Sequence, residues 1–167
     1  MKLTHHYDSP VGRIYVAESD GAITDVAFQP IDGASEKETP LLVQTVEMLR
    51  EYFAGKRTNF DGLPLSPSGT EFQKKAWTAL RAIPYGQTRS YKEQAEAAGN
   101  VKACRAVGAA NGKNPISIII PCHRVIGSNN DLTGYGGGLD VKRELLELER
   151  GAVSRQLQAD RRFPSHP

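Results

Sequence analysis

The 167-residue chain is 39% hydrophobic and 24% charged, the balance of a soluble globular protein with room for one domain or for two small ones sharing a core. No apolar run approaches the ~20 residues of a membrane helix and no apolar segment follows Lys2, so neither a membrane span nor export is expected, and the expected location is the cytoplasm. Net charge is only +2, but residues 1–85 carry 9 Lys and Arg against 11 Asp and Glu while residues 86–167 carry 12 against 8; the basic excess of the second half is a weak sign of an anionic partner.

In chain order, Lys2–Tyr7, Arg13–Glu18 and Ala22–Phe28 read as an antiparallel meander, with turns at Asp8–Gly12 and Ser19–Gly21. A polar loop, Pro30–Thr39, follows. Leu42, Val46, Leu49 and Phe53 then fall at helical spacing, and Gly55 ends that helix. Lys56–Gly69, with two prolines and two glycines inside it, reads as a linker with at most a short strand. Thr70-Glu71-Phe72-Gln73 and Ser90-Tyr91-Lys92-Glu93 are capping boxes. The first opens a helix with Phe72, Ala76, Trp77, Leu80 and Ile83 inward, stopped by Pro84-Tyr85-Gly86. The second opens a short helix that Gly99 terminates. Lys102–Ala110 reads as a further helix, and the Gly99-Asn100 turn between the two allows helix-turn-helix geometry, as it does any helical hairpin. Pro115–Ile120 is expected as a short buried extended run. Asp140 is expected to cap a last helix with Val141, Leu145 and Leu148 inward and Gly151 at its end; the remainder to Pro167 is expected to be disordered.

Two cysteines and four histidines are too few and too scattered for a disulfide scaffold or a structural zinc site. Cys122 by itself would be read as a packing cysteine, since free Cys is among the most buried residue types. Its neighbours argue otherwise. Pro121 fixes the backbone that aims the thiol, and His123 and Arg124 are odd company for a packing residue. A thiol becomes a nucleophile near neutral pH only beside a base or a cation. Adjacency alone does not provide one, because neighbours on an extended chain point to opposite faces.

Ile120-Pro121-Cys122-His123-Arg124-Val125 resembles the signature of the methylated-DNA–protein-cysteine methyltransferases. Asn114-Pro115 upstream and Tyr135-Gly136-Gly137-Gly138 downstream resemble the same family, as do Lys142 and Glu149 at their spacing, and Ser90-Tyr91 and Cys104-Arg105-Ala106-Val107-Gly108 resemble its DNA-binding helices. The likeness is strong over about residues 70–150 and general before that. It implies that Cys122 is the nucleophile and permanent alkyl acceptor, that His123 takes the thiol proton through a water, and that Glu149 orients His123 as the third member of a triad. It implies that Asn114 organises the loop holding the cysteine. Tyr91 would contact the flipped guanine and its phosphate, and Arg105 would fill the gap left in the base stack. Lys142 would neutralise charge on the departing guanine, and Val125, Tyr135 and Gly136 would line the base pocket. Neither cofactor nor metal is implied. The implied partner is double-stranded DNA containing O6-alkylguanine, bound through the minor groove by a monomer.

The target carbon is out of reach inside a stacked duplex, so flipping is required. The product thioether has no labile bond, so the protein is consumed in one turnover. The small residues of Lys102–Ala110 read either as tight helix packing or as close approach to DNA; a reader of the major groove would carry bulky polar side chains. Arg105 taken alone is an ordinary surface charge. Cys104 is expected not to be catalytic, and His5 and His6 to be exposed at a strand end. Gly136-Gly137-Gly138 lacks the Lys-Ser/Thr of a phosphate loop and is read as a tight turn.

The resulting fold expectation is α/β (α+β). A small N-terminal antiparallel sheet with a helix (residues 1–66, ribonuclease-H-like in the family) precedes a mainly helical, winged-helix-like part with the helix-turn-helix (67–151), then a tail (152–167). Three rivals are a lesion-binding alkyltransferase-like protein, which would lack the cysteine; a cysteine hydrolase, which would turn over repeatedly; and a dimeric helix-turn-helix regulator, which would need no reactive thiol.

Overall fold

The structure, a computed structural model, describes residues 1–127, 135 and 137–162. Strands β1 (Lys2–Ser9), β2 (Gly12–Ser19) and β3 (Ala22–Ala27) form the expected meander. The β2–β3 turn places both Asp20 (φ 52°) and Gly21 (φ 79°) in the left-handed region, the two-residue geometry whose twist matches that of a hairpin. Ile14 and Val16 point inward while Arg13 and Tyr15 point out. Helix α1 (Pro40–Phe53) closes that face with Leu42, Val46, Leu49 and Tyr52, and the Thr39 side chain caps its first turn by accepting from the Leu42 amide.

The loop expected over Pro30–Thr39 contains a fourth strand, β4 (Ala34–Glu36), paired parallel to β1, so the sheet is mixed, in the order β3-β2-β1-β4. Only three residues pair there, too short for side-chain alternation to announce a strand. His5 and His6 lie within β1 and are half-buried, not exposed at its end; His6 faces Glu36 of β4, with Nδ1 3.3 Å from the carboxylate.

The other half is helical. Both capping boxes form, at Thr70 and Ser90, opening α2 (Glu71–Arg81) and α3 (Tyr91–Ala97). Gly99, at φ 94°, turns the chain toward α4 (Cys104–Gly112). Two polar links lock these helices where a purely apolar contact could slide. Gln94 and Asn111 exchange amide hydrogen bonds of 2.7 and 2.8 Å, and Trp77 Nε1 donates to the Ala110 carbonyl at 2.8 Å. Strands β5 (Arg89–Ser90) and β6 (Val125–Ile126) pair in parallel and tie the start of α3 to the segment after Cys122.

The halves share main-chain hydrogen bonds. Val26 donates to the Pro115 carbonyl and receives from the Ser117 amide, both at 2.9 Å; within the N-terminal half, Ile23 makes a similar pair with Pro64 and Ser66, both at 2.8 Å. One apolar core runs through both, from Ile14, Leu49 and Tyr52 to Trp77, Ile116, Ile120 and Leu145.

Three sequence expectations are corrected here. Pro115–Ile120 is a buried turn, not an extended run: the Ile120 amide donates to Ile116 at 3.0 Å, and Ile118 takes φ 71°. A β-branched residue pays strain in that region, and the full burial of Ile116, Ile118 and Ile120 holds it there. Asp140 lies inside the first turn of the last helix, α5 (Leu139–Arg162), not at its cap. That helix also continues through Gly151 to Arg162, where a stop and a disordered tail were expected. A single glycine costs a helix only about 1 kcal/mol against alanine, and flanking helix formers can absorb that.

Candidate active site

Cys122 opens a single 3-10 turn, Cys122–Arg124, set between the Ile116–Ile120 turn and β6. On a turn with three residues per revolution, consecutive side chains stand about 120° apart instead of alternating between two faces. All three are buried, and against them α5 places Lys142 and Glu149, each only 1% exposed. Five charged or ionisable side chains inside a core require a partner for each charge.

Glu149 provides most of the pairing. Its Oε2 accepts from His123 Nε2 at 2.6 Å, from the Tyr52 hydroxyl at 2.6 Å and from Arg124 Nη2 at 3.2 Å. Its Oε1 accepts from Arg124 Nε at 2.9 Å and from the Gly86 amide at 3.1 Å. Arg124 uses its remaining Nη1 on the Ile83 carbonyl at 2.7 Å and lies over the Tyr85 ring. Burial would push the Glu149 carboxyl up, but the hydrogen bonds and charges of His123 and Arg124 outweigh it and hold the carboxyl at about 2.

The protonation pattern follows. Burial, against the pull of Glu149, leaves the His123 imidazole below its ordinary value, so it is neutral. An ionised Glu149 can only accept, so the single ring proton sits on Nε2 and the lone pair on Nδ1. Nδ1 is buried without a hydrogen-bond partner among the described residues. Burial pushes the Cys122 thiol up, while Asn114 and the charge of Lys142 pull the other way. The site at rest is thus a protonated thiol, a neutral base with an available lone pair, and a carboxylate able to stabilise an imidazolium. Burial also draws Lys142 below the ordinary lysine value, with Cys122 as its facing group.

Asn114 is placed as expected: its Nδ2 donates to the Ile120 carbonyl at 2.8 Å and its Oδ1 receives the Ile116 amide at 3.0 Å, bracketing the turn that carries the cysteine. Val125 is fully buried in β6. Tyr135 packs edge-on to His123 at 6.5 Å and to Phe28 at 5.9 Å between ring centroids. The Gly138 amide closes a turn onto the Tyr135 carbonyl at 2.9 Å. A side chain at Gly137 would meet the Phe28 ring at 2.8 Å, so the glycine permits the approach of that loop. Gly136 lies outside the described residues.

Tyr91 and Arg105 are not part of this cluster. Tyr91, first residue of α3, is half-buried with its ring 3.7 Å from where a Cβ on Gly108 would stand. Arg105 is exposed on α4 and bonds to none of the described residues. Beside it on the open face are Ala106, Ala109 and Gly112. Val107 and Ala110 face inward. Cys104 is only half-buried, with its thiol on the Val101 carbonyl, away from any base.

Sequence reasoning missed Tyr52, Gly86 and Phe28 and gave Arg124 no role. Arg124 carried a usable signal, a charge inside the apolar run Ile118–Ile126 that needs a buried acid. Tyr52 carried none, because an aromatic on the inner face of a helix is ordinary core.

Fold and site together give a buried cysteine next to a paired histidine and glutamate, beside a helix-turn-helix with an almost bare second helix. Residues 3–67 match the ribonuclease-like domain, and residues 71–151 the DNA binding domain, of 6-O-methylguanine DNA methyltransferase; the chain belongs to that family. It is 50% identical over 151 residues to the methylated-DNA–protein-cysteine methyltransferase of Methanosarcina acetivorans, covering 86% of this chain and 95% of the relative. The counterpart from Mycolicibacterium paratuberculosis is 49% identical over 148 residues, covering 86% and 89%. The crystal structure of Mycobacterium tuberculosis OGT in complex with DNA superposes with a TM-score of 0.82 at 45% identity, covering 90% of this chain and 93% of that one.

Proposed function

We propose that this protein repairs O6-alkylguanine in double-stranded DNA by moving the alkyl group onto Cys122 in one irreversible event. The observation that carries the reading is the buried Cys122 on the same 3-10 turn as His123, whose Nε2 is committed to Glu149 and whose buried Nδ1 has no partner among the described residues. The thiol proton passes to Nδ1 through a water, and Glu149 stabilises the imidazolium. The sulfur forms a bond to the alkyl carbon as the carbon–O6 bond breaks, and that electron pair departs on guanine. The imidazolium then releases that same proton, through water, to the departing guanine, which restores the neutral imidazole and completes the neutral base, with Lys142 offsetting the charge until it arrives. The thioether leaves no bond for water to cleave, which makes repair a single turnover without cofactor or metal.

We assign Asn114 to holding the cysteine turn and Val125 and Tyr135 to lining the base pocket; Gly136 has that role from the family resemblance alone. On the DNA side the bare face of α4 suits close approach to a minor groove. We assign Arg105, exposed on α4, to filling the stack when a base is flipped, and Tyr91, packed against Gly108 of α4, to contacting the extruded base or its phosphate. The protein acts as a monomer in the cytoplasm, with 1–66 and 67–151 as its two domains. Intact mass before and after mixing with duplex DNA containing O6-methylguanine tests the reading: each molecule gains one CH2 unit, mapped to Cys122, and then stops. Continued turnover with excess DNA, or a modified Cys104, would overturn it.

A further inference from the structure

The relay carboxylate is held partly from the other half of the molecule. Tyr52 belongs to α1, yet its hydroxyl lies 2.6 Å from Glu149 Oε2, the oxygen that His123 Nε2 also contacts at 2.6 Å. Building on the proposed alkyl transfer, we infer that Tyr52 is a positioning residue of the relay: it fixes the Glu149 carboxylate and competes with His123 for the same oxygen.

The aim of the hydroxyl is set by packing. The Tyr52 side chain is fully buried. Its ring meets Tyr85 at 84° and Phe60 at 38°, with centroids 6.1 and 5.8 Å away. Rotating the phenol away from Glu149 would leave a buried hydroxyl without a partner. Burial and the neighbouring carboxylate raise its pKa well above that of a free phenol, so it stays a neutral donor.

The competition has a direction. Proton affinity at His123 depends on the negative charge left on Oε2. Each further donor to that oxygen draws on that charge, so Tyr52 makes His123 less basic and keeps Nδ1 open to the thiol proton at neutral pH. The other charged or titratable groups around the pair are Tyr85 after α2, Cys122 and Arg124 on the 3-10 turn, Tyr135 on the pocket loop and Lys142 on α5. The Arg124 and Lys142 cations push His123 the same way. Tyr52 is the contribution from the N-terminal half, and it makes the sheet-and-helix part a component of the chemistry as well as a support.

The test uses the full chain and free O6-benzylguanine, which removes DNA binding from the rate. Tyr52→Phe keeps the ring and deletes the hydroxyl. The acidic limb of the rate–pH profile, which reports protonation of His123, is expected to move up by about half to one pH unit, while the plateau at higher pH survives. Replacing Tyr52 by a ring-fluorinated tyrosine keeps the shape and strengthens the donor, so the limb is expected to move down. A purely structural tyrosine would lower the melting temperature and leave the limb in place. Limbs unchanged in both proteins, with a reactive wild type, overturn the inference. A wild type inert toward O6-benzylguanine and O6-methylguanine DNA alike instead brings down the alkyl-transfer reading and this inference with it.

Discussion

The relay around Glu149 and the open face of α4 are built on opposite principles. In the first, polar groups are buried and tightly paired: Glu149 takes side-chain donors from Tyr52, His123 and Arg124 and the Gly86 amide, drawn from three separate stretches of chain. In the second, side chains have been removed, leaving Ala106, Ala109 and Gly112 around one extended cation, Arg105. A proton relay needs groups held to within a fraction of an ångström, and a low-dielectric core with several contacts per group achieves that. A surface that must meet any DNA sequence gains from having little to read. Disturbing the first should therefore cost rate and stability together, and disturbing the second should cost only what depends on DNA.

The largest effect is expected at the nucleophile. Cys122→Ala should abolish alkyl transfer, read as zero mass gain, while duplex DNA with the lesion stays bound because α4 is untouched. Loss of both would show that the two regions are not separable.

Next comes Glu149→Gln. An amide cannot offset the buried Arg124 charge or a forming imidazolium. Breaking a buried ion pair costs about 3–5 kcal/mol, and losing support for the base should slow transfer by roughly 10²-fold or more. Melting temperature and single-turnover rate measure the two losses. The same residue predicts a pH effect. Its carboxyl titrates at about 2 in the fold against an ordinary 4.5, so its stabilisation, about 3 kcal/mol at most, is present above pH 4.5 and lost as pH falls toward 2. Wild-type unfolding followed by circular dichroism should weaken across that window, and the Gln variant should lack that component.

Arg105→Ala sharpens the comparison from the other side. Repair of duplex DNA should slow by roughly 10- to 100-fold, equivalent to about 1.4–2.7 kcal/mol out of the few kcal/mol that extrusion costs, with melting temperature and the free O6-benzylguanine rate unchanged. An equal loss on both substrates would remove the stack-filling role. The smallest effect is expected at Cys104→Ala, whose thiol meets the Val101 carbonyl and packs on the small cluster of Ala76, Ala95, Val107 and Ala110: transfer should stay within about twofold of wild type, and a larger drop without unfolding would mean that α4 reaches into the chemistry.

The sequence by itself determined whatever depends on near neighbours in the chain. The meander, α1, both capping boxes and the Gly99 turn follow from alternation, helical spacing and side chains that bond three residues away. The motif Pro121–Arg124, with its spaced companions Asn114 and Glu149, pointed to the candidate nucleophile and the groups proposed to serve it. Tertiary structure decided what depends on pairing between distant segments. Strand β4 exists because β1 offers it an edge, and Ile118 adopts a left-handed backbone because its surroundings are fully packed. Glu149 reached an acidity near 2 only when His123 and Arg124, distant in sequence, were brought against it in the core. Periodicity records which face of an element is buried but not what it is buried against, and a carboxylate's chemistry is set by its contacts.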